Sequence, residues 1–177
     1  MIFMYIAVVG AGAMGCLYGA FLKKNGYDVV LVDVWKEHMD KINAEGLKIQ
    51  IDNDMMTVPI PAKRANEVEG KPDLVIMFTK TLHREKAIED ARQFIGDQTV
   101  VLTLQNGIGN VEAIEKVVPR ERIIVGVTDF PSDLIGPGQI KSKGKGHTKI
   151  MSADGRITAP LENIMEALDK AGFNCEI

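Results

Sequence analysis

Only two cysteines occur in the 177 residues, Cys16 and Cys175. Two thiols make neither a disulfide framework nor a metal-binding cluster, and both read as inert, buried side chains. There is no basic excess either: 21 Lys and Arg stand against 24 Asp and Glu, a net charge of -3. That balance gives no electrostatic reason to expect a nucleic-acid or anionic-membrane partner. No apolar run approaches the ~20 residues of a membrane span. No basic n-region precedes the N-terminal apolar run, as a signal peptide would require. Internal repeats and low-complexity linkers are also missing. What these absences leave is a cytoplasmic chain of about one domain, with 46% hydrophobic and 25% charged residues.

What is present begins with Ile6-Ala7-Val8-Val9-Gly10-Ala11-Gly12-Ala13-Met14-Gly15. An apolar, strand-like run feeds a glycine turn, and a helix-compatible stretch follows. The glycines at 10, 12 and 15 fit the G-x-G-x-x-G dinucleotide fingerprint. Gly10 allows the tight turn, Gly12 lets the backbone approach a pyrophosphate, and Gly15 lets helix and strand pack closely. The helix N-terminus offers unpaired N–H groups and a positive dipole to phosphates. Asn25-Gly26 stops that helix, and Val29-Val30-Leu31-Val32 reads as a buried strand ending at Asp33. A carboxylate there can accept hydrogen bonds from the adenosine ribose and repel a 2′-phosphate, which favours NAD over NADP. The competing reading of Asp33 is a helix-capping or solvated aspartate, and Lys36 nearby can partly neutralise a 2′-phosphate.

Further on, residues 36–44 read as a helix, and Leu47 to Ile51 with Met55 to Ile60 as an inserted hairpin. Residues 73–78 and 99–104 read as buried strands, each followed by a helical segment, with Asn110 as the N-cap of the second. Residues 123–127 form another strand. Alternating strands and helices imply a doubly wound, mostly parallel Rossmann-like α/β sheet over residues 1–177. After Thr128 the pattern changes to short antiparallel strands, an amphipathic helix from Pro160 to Gly172, and the start of a last strand. Lys141, Lys143, Lys145 and Lys149 cluster there, reading as a solvated strand edge or, alternatively, a phosphate site.

In an open α/β sheet, ligands sit beyond the carboxyl ends of the strands. Besides the glycine turn, Thr79-Lys80-Thr81 and Asn106-Gly107-Ile108-Gly109 leave that edge. The Lys80 ammonium can bind a substrate carboxylate or carbonyl oxygen there, although a lone lysine also suits an ordinary solvated loop. The Asn106 amide can orient a nicotinamide ribose or substrate oxygen. Asn-Gly often makes a hairpin, but the helix that follows disfavours one.

Gly10-Ala11-Gly12-Ala13-Met14-Gly15, Phe78-Thr79-Lys80, Leu104-Gln105-Asn106-Gly107-Ile108-Gly109, Gly126-Val127-Thr128 and Gly136-Pro137-Gly138 resemble the N-terminal domain of the ketopantoate reductase family. The resemblance implies reduction of 2-dehydropantoate, a 2-keto acid, to pantoate by hydride from a reduced nicotinamide cofactor. Lys80 and Asn106 would then contact cofactor and substrate as catalytic residues. Residues 10–15 would hold the pyrophosphate, with Thr79 and Gly107 beside the cofactor. Many members use NADPH and carry a basic residue where this chain has Asp33, so NADH or dual use is expected here. The family also implies a helical second domain supplying a lysine general acid, which these residues do not include. The chain alone is therefore expected to bind cofactor with little turnover, and to associate with a helical substrate domain or form a homo-oligomer. Two other readings stay open: a dehydrogenase of another 2-keto or 3-hydroxy acid, and a stand-alone redox-sensing or partner-docking module.

Overall fold

Strands covered on both faces need apolar residues at every position, and β1 shows how this chain meets that demand. The computed structural model describes residues 3–177. In chain order the elements are β1 (Tyr5–Val9), α1 (Ala13–Lys24), β2 (Asp28–Val32), α2 (Lys36–Glu45), β3 (Leu47–Ile51), β4 (Asp54–Val58), β5 (Ala62–Lys63) and β6 (Leu74–Met77). They continue with α3 (Arg84–Ala91), β7 (Val100–Thr103), α4 (Asn110–Ile114), β8 (Ile123–Thr128), β9 (Ser132–Gly136) and β10 (Gln139–Ser142). The last three are β11 (Thr148–Ser152), α5 (Ala159–Leu168) and β12 (Cys175–Glu176). On β1, Ile6 and Val8 belong to one buried cluster with Leu17 of α1 and Leu161 of α5, whereas Ala7 and Val9 belong to a second with Ile88 of α3 and Ile114 of α4. The two-residue period of the strand thus serves two cores at once.

An eight-stranded sheet has the order β12-β11-β8-β7-β6-β1-β2-β5. All its neighbours are parallel except β11 with β8. The chain winds from β1 through β2 to β5, then returns to β6 on the other side. This is the doubly wound order anticipated from the alternation of strands and helices, and its switch point lies between β1 and β6. Tyr18 of α1 braces the sheet from one face. Its ring stacks on Phe173 at 3.8 Å and tilts against Phe78 at 4.9 Å. Its hydroxyl donates to Thr128 Oγ1 at 3.0 Å and shares a hydrogen bond of 2.7 Å with Thr148 Oγ1. Burial pushes the phenol up to about 12.

The remaining strands correct three expectations. The inserted hairpin forms, β3 antiparallel to β4. However, β10 pairs with β9 on one side and, in parallel, with β3 on the other, so two sequence-distant hairpins merge into a second sheet, β4-β3-β10-β9. β11 does not join that hairpin but closes on β8 in the large sheet. Lys141 and Lys149 consequently do not mark a strand edge, because β10 and β11 are both interior strands, and Lys143 and Lys145 lie in the connection between them. Lys141 and Lys149 are exposed between buried neighbours, Ile140 with Ser142 and Thr148 with Ile150, as the pleat dictates. Asn110 is the first residue of α4 and not its cap; Gly109, with φ +83°, holds the cap position. Among the described residues, no helix is long and apolar enough to cross a membrane.

Candidate functional site

β1 runs directly into a turn at which Gly10 adopts φ +94°, a conformation that side chains with a Cβ rarely tolerate. A Cβ on Gly10 would stand 2.7 Å from the Thr79 nitrogen, so the turn and the chain leaving β6 are in backbone contact. A Cβ on Gly15 would lie 1.8 Å from the Gly10 carbonyl oxygen, which is why α1 can start hard against the turn. Gly12 differs from both. Its φ is -73° and a Cβ there would meet nothing within 4 Å. Neither backbone conformation nor internal packing calls for glycine at this position.

The room beside Gly12 opens into a cavity of about 500 Å³ beyond the carboxyl ends of β1, β2 and β6. Gly10, Gly12, Ala13, Met14 and Gly15 line it together with Asp33, Thr79 and Lys80. Gly12 caps α1 without a side-chain hydrogen bond, and no acidic residue sits in the first turn. Free N–H groups and the positive end of a helix dipole face that space, an arrangement suited to an anion.

Ala11 contributes its backbone. Its N–H donates to Asp33 Oδ2 at 2.7 Å, and its carbonyl accepts from the buried His38. Asp33 Oδ1 accepts from the N–H groups of Val34 at 2.7 Å and Trp35 at 2.9 Å. Asp33 therefore braces the two turns while lining the cavity, and it does not cap α2, whose N-cap is Trp35. Three N–H donors occupy a carboxylate with about four acceptor positions, so one is left open toward the cavity. Cys16 is fully buried, and burial pushes its thiol well above the usual range. It donates to the Ala11 carbonyl at 3.2 Å.

Lys80 is exposed at the cavity rim, whereas Asn106 and Gly107 stand outside the lining, exposed on the loop after β7. That loop is held from behind. Arg84 Nη1 donates to the Ile108 carbonyl at 2.9 Å and to Asn110 Oδ1 at 3.0 Å. Asn110 Nδ2 donates in turn to the carbonyls of Gln105 and Gly107, each at 3.0 Å. Gln105 then crosses to the neighbouring loop, its Nε2 donating to the Thr79 carbonyl at 2.6 Å and to Thr79 Oγ1 at 2.8 Å.

The far wall of the cavity comes from Ala65, His83, Lys86, Ala87 and Asp90. None of these stands out in the sequence. The available signal was spacing: His83 with Ala87 and Lys86 with Asp90 recur four apart, so α3 and its N-cap His83 present them to the cavity while Ile88 stays buried. Lys86 and Asp90 form an ion pair on that wall.

The ketopantoate reductase PanE/ApbA family matches residues 6–155. The 2-dehydropantoate 2-reductase of Lactococcus lactis subsp. lactis (strain IL1403) is 34% identical over 175 residues, covering 98% of this chain and 56% of that protein. Its counterpart by name in Pyrococcus horikoshii is 36% identical over 176 residues, covering 98% of this chain and 56% of that protein. Among solved structures, a ternary complex of D-mandelate dehydrogenase with NADH and anilino(oxo)acetate has a TM-score of 0.93 at 37% identity, covering 98% of this chain and 56% of that chain. The 2-dehydropantoate 2-reductase from Geobacter metallireducens GS-15 has a TM-score of 0.89 at 35% identity, covering 98% of this chain and 57% of that one. The chain spans about half the length of the curated relatives it matches. With its glycine turn, doubly wound sheet and cavity at the switch point, the chain belongs to the ketopantoate reductase family and has the fold of that family's N-terminal domain.

Proposed function

We propose that the chain is the cofactor-binding half of an oxidoreductase that reduces 2-dehydropantoate to pantoate, a step of pantothenate synthesis in the cytoplasm. Gly12 carries the reading. The space a Cβ would fill, at an uncapped helix N-terminus, fits the pyrophosphate of a nicotinamide dinucleotide. Such a cofactor supplies hydride to a substrate carbonyl. The chain's own residues bind and orient: residues 10–15 hold the phosphates, and Asp33 accepts a ribose hydroxyl with its remaining lone pair. That carboxylate favours NADH over NADPH, and the structure of D-mandelate dehydrogenase with NADH supports a nicotinamide dinucleotide as the cofactor class. Exposed Lys80 presents an ammonium to the carboxylate or keto oxygen of a 2-keto acid, with Asn106 entering from the adjacent loop.

The alkoxide formed by hydride addition needs a proton donor within hydrogen-bond reach. We assign that donor to the helical second domain that the family resemblance implies, in the part of the relatives that this chain does not cover. Val127, Met151, Ile157 and Ile177, all exposed around an apolar depression at β8 and β11, support its association with this half, or that of a second copy. A related 2-keto acid is the second reading, favoured by the likeness to D-mandelate dehydrogenase. Fluorescence titration with NADH and NADPH tests the cofactor reading, and saturable binding with NADH preferred is expected. Binding of neither would overturn it. Oxidation of NADH on adding 2-dehydropantoate is expected to be negligible for these residues alone, and robust turnover would overturn the division of labour.

A further inference from the structure

Lys80 and Asn106 leave adjacent parallel strands on separate loops, and their usefulness together depends on what fixes one loop against the other. Gln105 stands between them. Its amide orientation is set by the buried Thr103, whose hydroxyl donates to Oε1 at 3.1 Å. Nε2 therefore faces the β6 loop, where it donates to both the carbonyl and the hydroxyl of Thr79. The Gln105 backbone carbonyl is meanwhile held by Asn110, and Thr79 directly precedes Lys80.

We infer that Gln105 is a positioning residue that pins the Lys80 loop to the Asn106 loop, so that the two strand ends offer a preset site to the nicotinamide end of the cofactor. The inference rests on the reading of the cavity as a dinucleotide site. Without the tie, both loops must be ordered when ligand arrives, and that entropic cost falls on binding. It falls mainly on one end of the ligand. Among the described residues neither the glycine turn nor Asp33 hydrogen-bonds Gln105, and the turn meets Thr79 only through backbone packing, so the loss is expected to fall chiefly on the nicotinamide end.

ADP-ribose separates this role from a merely structural one, because it keeps adenosine and pyrophosphate and lacks nicotinamide. In Gln105→Met, which keeps the length and removes both amide groups, NADH is expected to bind about tenfold more weakly, the equivalent of roughly one buried hydrogen bond. ADP-ribose is expected to bind as it does to the unaltered chain. Thr79→Val removes only the hydroxyl partner and should give a smaller loss in the same direction, which keeps the idea testable if Gln105→Met folds poorly. Equal weakening of both ligands, or of neither, overturns the inference. Failure of the unaltered chain to bind either ligand would instead overturn the cofactor reading beneath it, before any substitution is made.

Discussion

His38 donates from Nε2 to the carbonyl oxygen of Ala11 at 2.7 Å, joining helix α2 to the glycine turn. The direction of that bond follows from the other ring nitrogen. Gly138 N–H donates to Nδ1 at 2.9 Å, so Nδ1 is unprotonated and the neutral ring carries its hydrogen on Nε2. The imidazole is fully buried and stacks on Trp35 with ring centroids 4.9 Å apart. One side chain thereby connects the turn after β1, the helix after β2 and the tight turn between β9 and β10. The second sheet is fastened to the cavity floor through this contact.

Replacing His38 with leucine leaves the Gly138 N–H without its partner and the Ala11 carbonyl with only the weak thiol of Cys16. Each buried polar group left unsatisfied costs ~1–3 kcal/mol. His38→Leu should therefore lower stability by about 2–3 kcal/mol in urea unfolding and weaken NADH binding through the displaced turn. Stability equal to that of the unaltered chain would show that the network contributes nothing.

Two glycines of the same turn should respond oppositely to alanine. A Cβ at Gly15 collides with the Gly10 carbonyl at 1.8 Å, a backbone group that cannot rotate away. Gly15→Ala is expected to cost more than about 3 kcal/mol, in the range of severe overpacking. At Gly12 the Cβ has open space, so Gly12→Ala should melt at or near the normal temperature and lose dinucleotide affinity. Thermal unfolding paired with NADH titration separates the two. Undiminished affinity in folded Gly12→Ala would remove the main support for the pyrophosphate site.

The difference between those glycines marks how far the sequence could be read. The doubly wound sheet was legible because strands such as Val29 to Val32 and Leu74 to Met77 are apolar throughout, a pattern that both-face burial imposes. The fingerprint and Asp33 were legible because the chain itself brings them together through one βαβ unit. The pairing of β3 with β10 was not, since strand partnership across most of the chain leaves no local period to read. The same holds for the side-chain ties. His38, Arg84 and Gln105 matter through contacts with segments 100, 26 and 26 residues away, and no spacing announces them. Asn110 was misread as a cap because capping is what Asn usually does before a helix; its amide turns back to hold the preceding loop instead.

Asp33 has a structural duty in the two turns and, under the proposed function, a selective one, and Asp33→Asn should separate them. The amide nitrogen would face the Ala11 N–H donor to donor, so stability is expected to fall by about 1–2 kcal/mol. The repulsion of a 2′-phosphate disappears with the charge. Unit charges near a protein surface repel by a few kcal/mol, so the preference for NADH over NADPH should narrow by at least about tenfold. Parallel titrations with the two nucleotides give the ratio, and an unchanged ratio would place selectivity elsewhere.

Both cysteines should be unreactive in the folded chain. Cys16 is 0% exposed, and burial holds its thiol far from ionisation. Cys175 is also buried, and burial, then the charge of Asp169, pushes it up to about 12. Because the thiolate is the reacting species, a chromogenic disulfide reagent should modify neither residue at neutral pH, and both should react after unfolding in urea. Rapid modification of the native chain would contradict the burial described for these thiols.

Acid should weaken the junction between α2 and β3 in a defined direction. Glu45, near the end of α2, accepts from Lys41 at 2.7 Å and from Lys48 of β3 at 2.6 Å. These hydrogen bonds, that of Lys41 first, hold its carboxyl at about 2 instead of 4.5. A folded-state value below the unfolded one means that the folded chain binds the proton less readily, so the contribution is complete above pH 4.5 and fades as the pH falls through about 2. All three side chains are solvent-accessible, so salt should screen the effect. Glu45→Gln should accordingly be less stable than the unaltered chain at neutral pH and low salt. The gap should shrink with added salt and close progressively in acid. Urea unfolding of both proteins across that pH range provides the test; a gap that widened on acidification would reverse the sign and overturn the assignment.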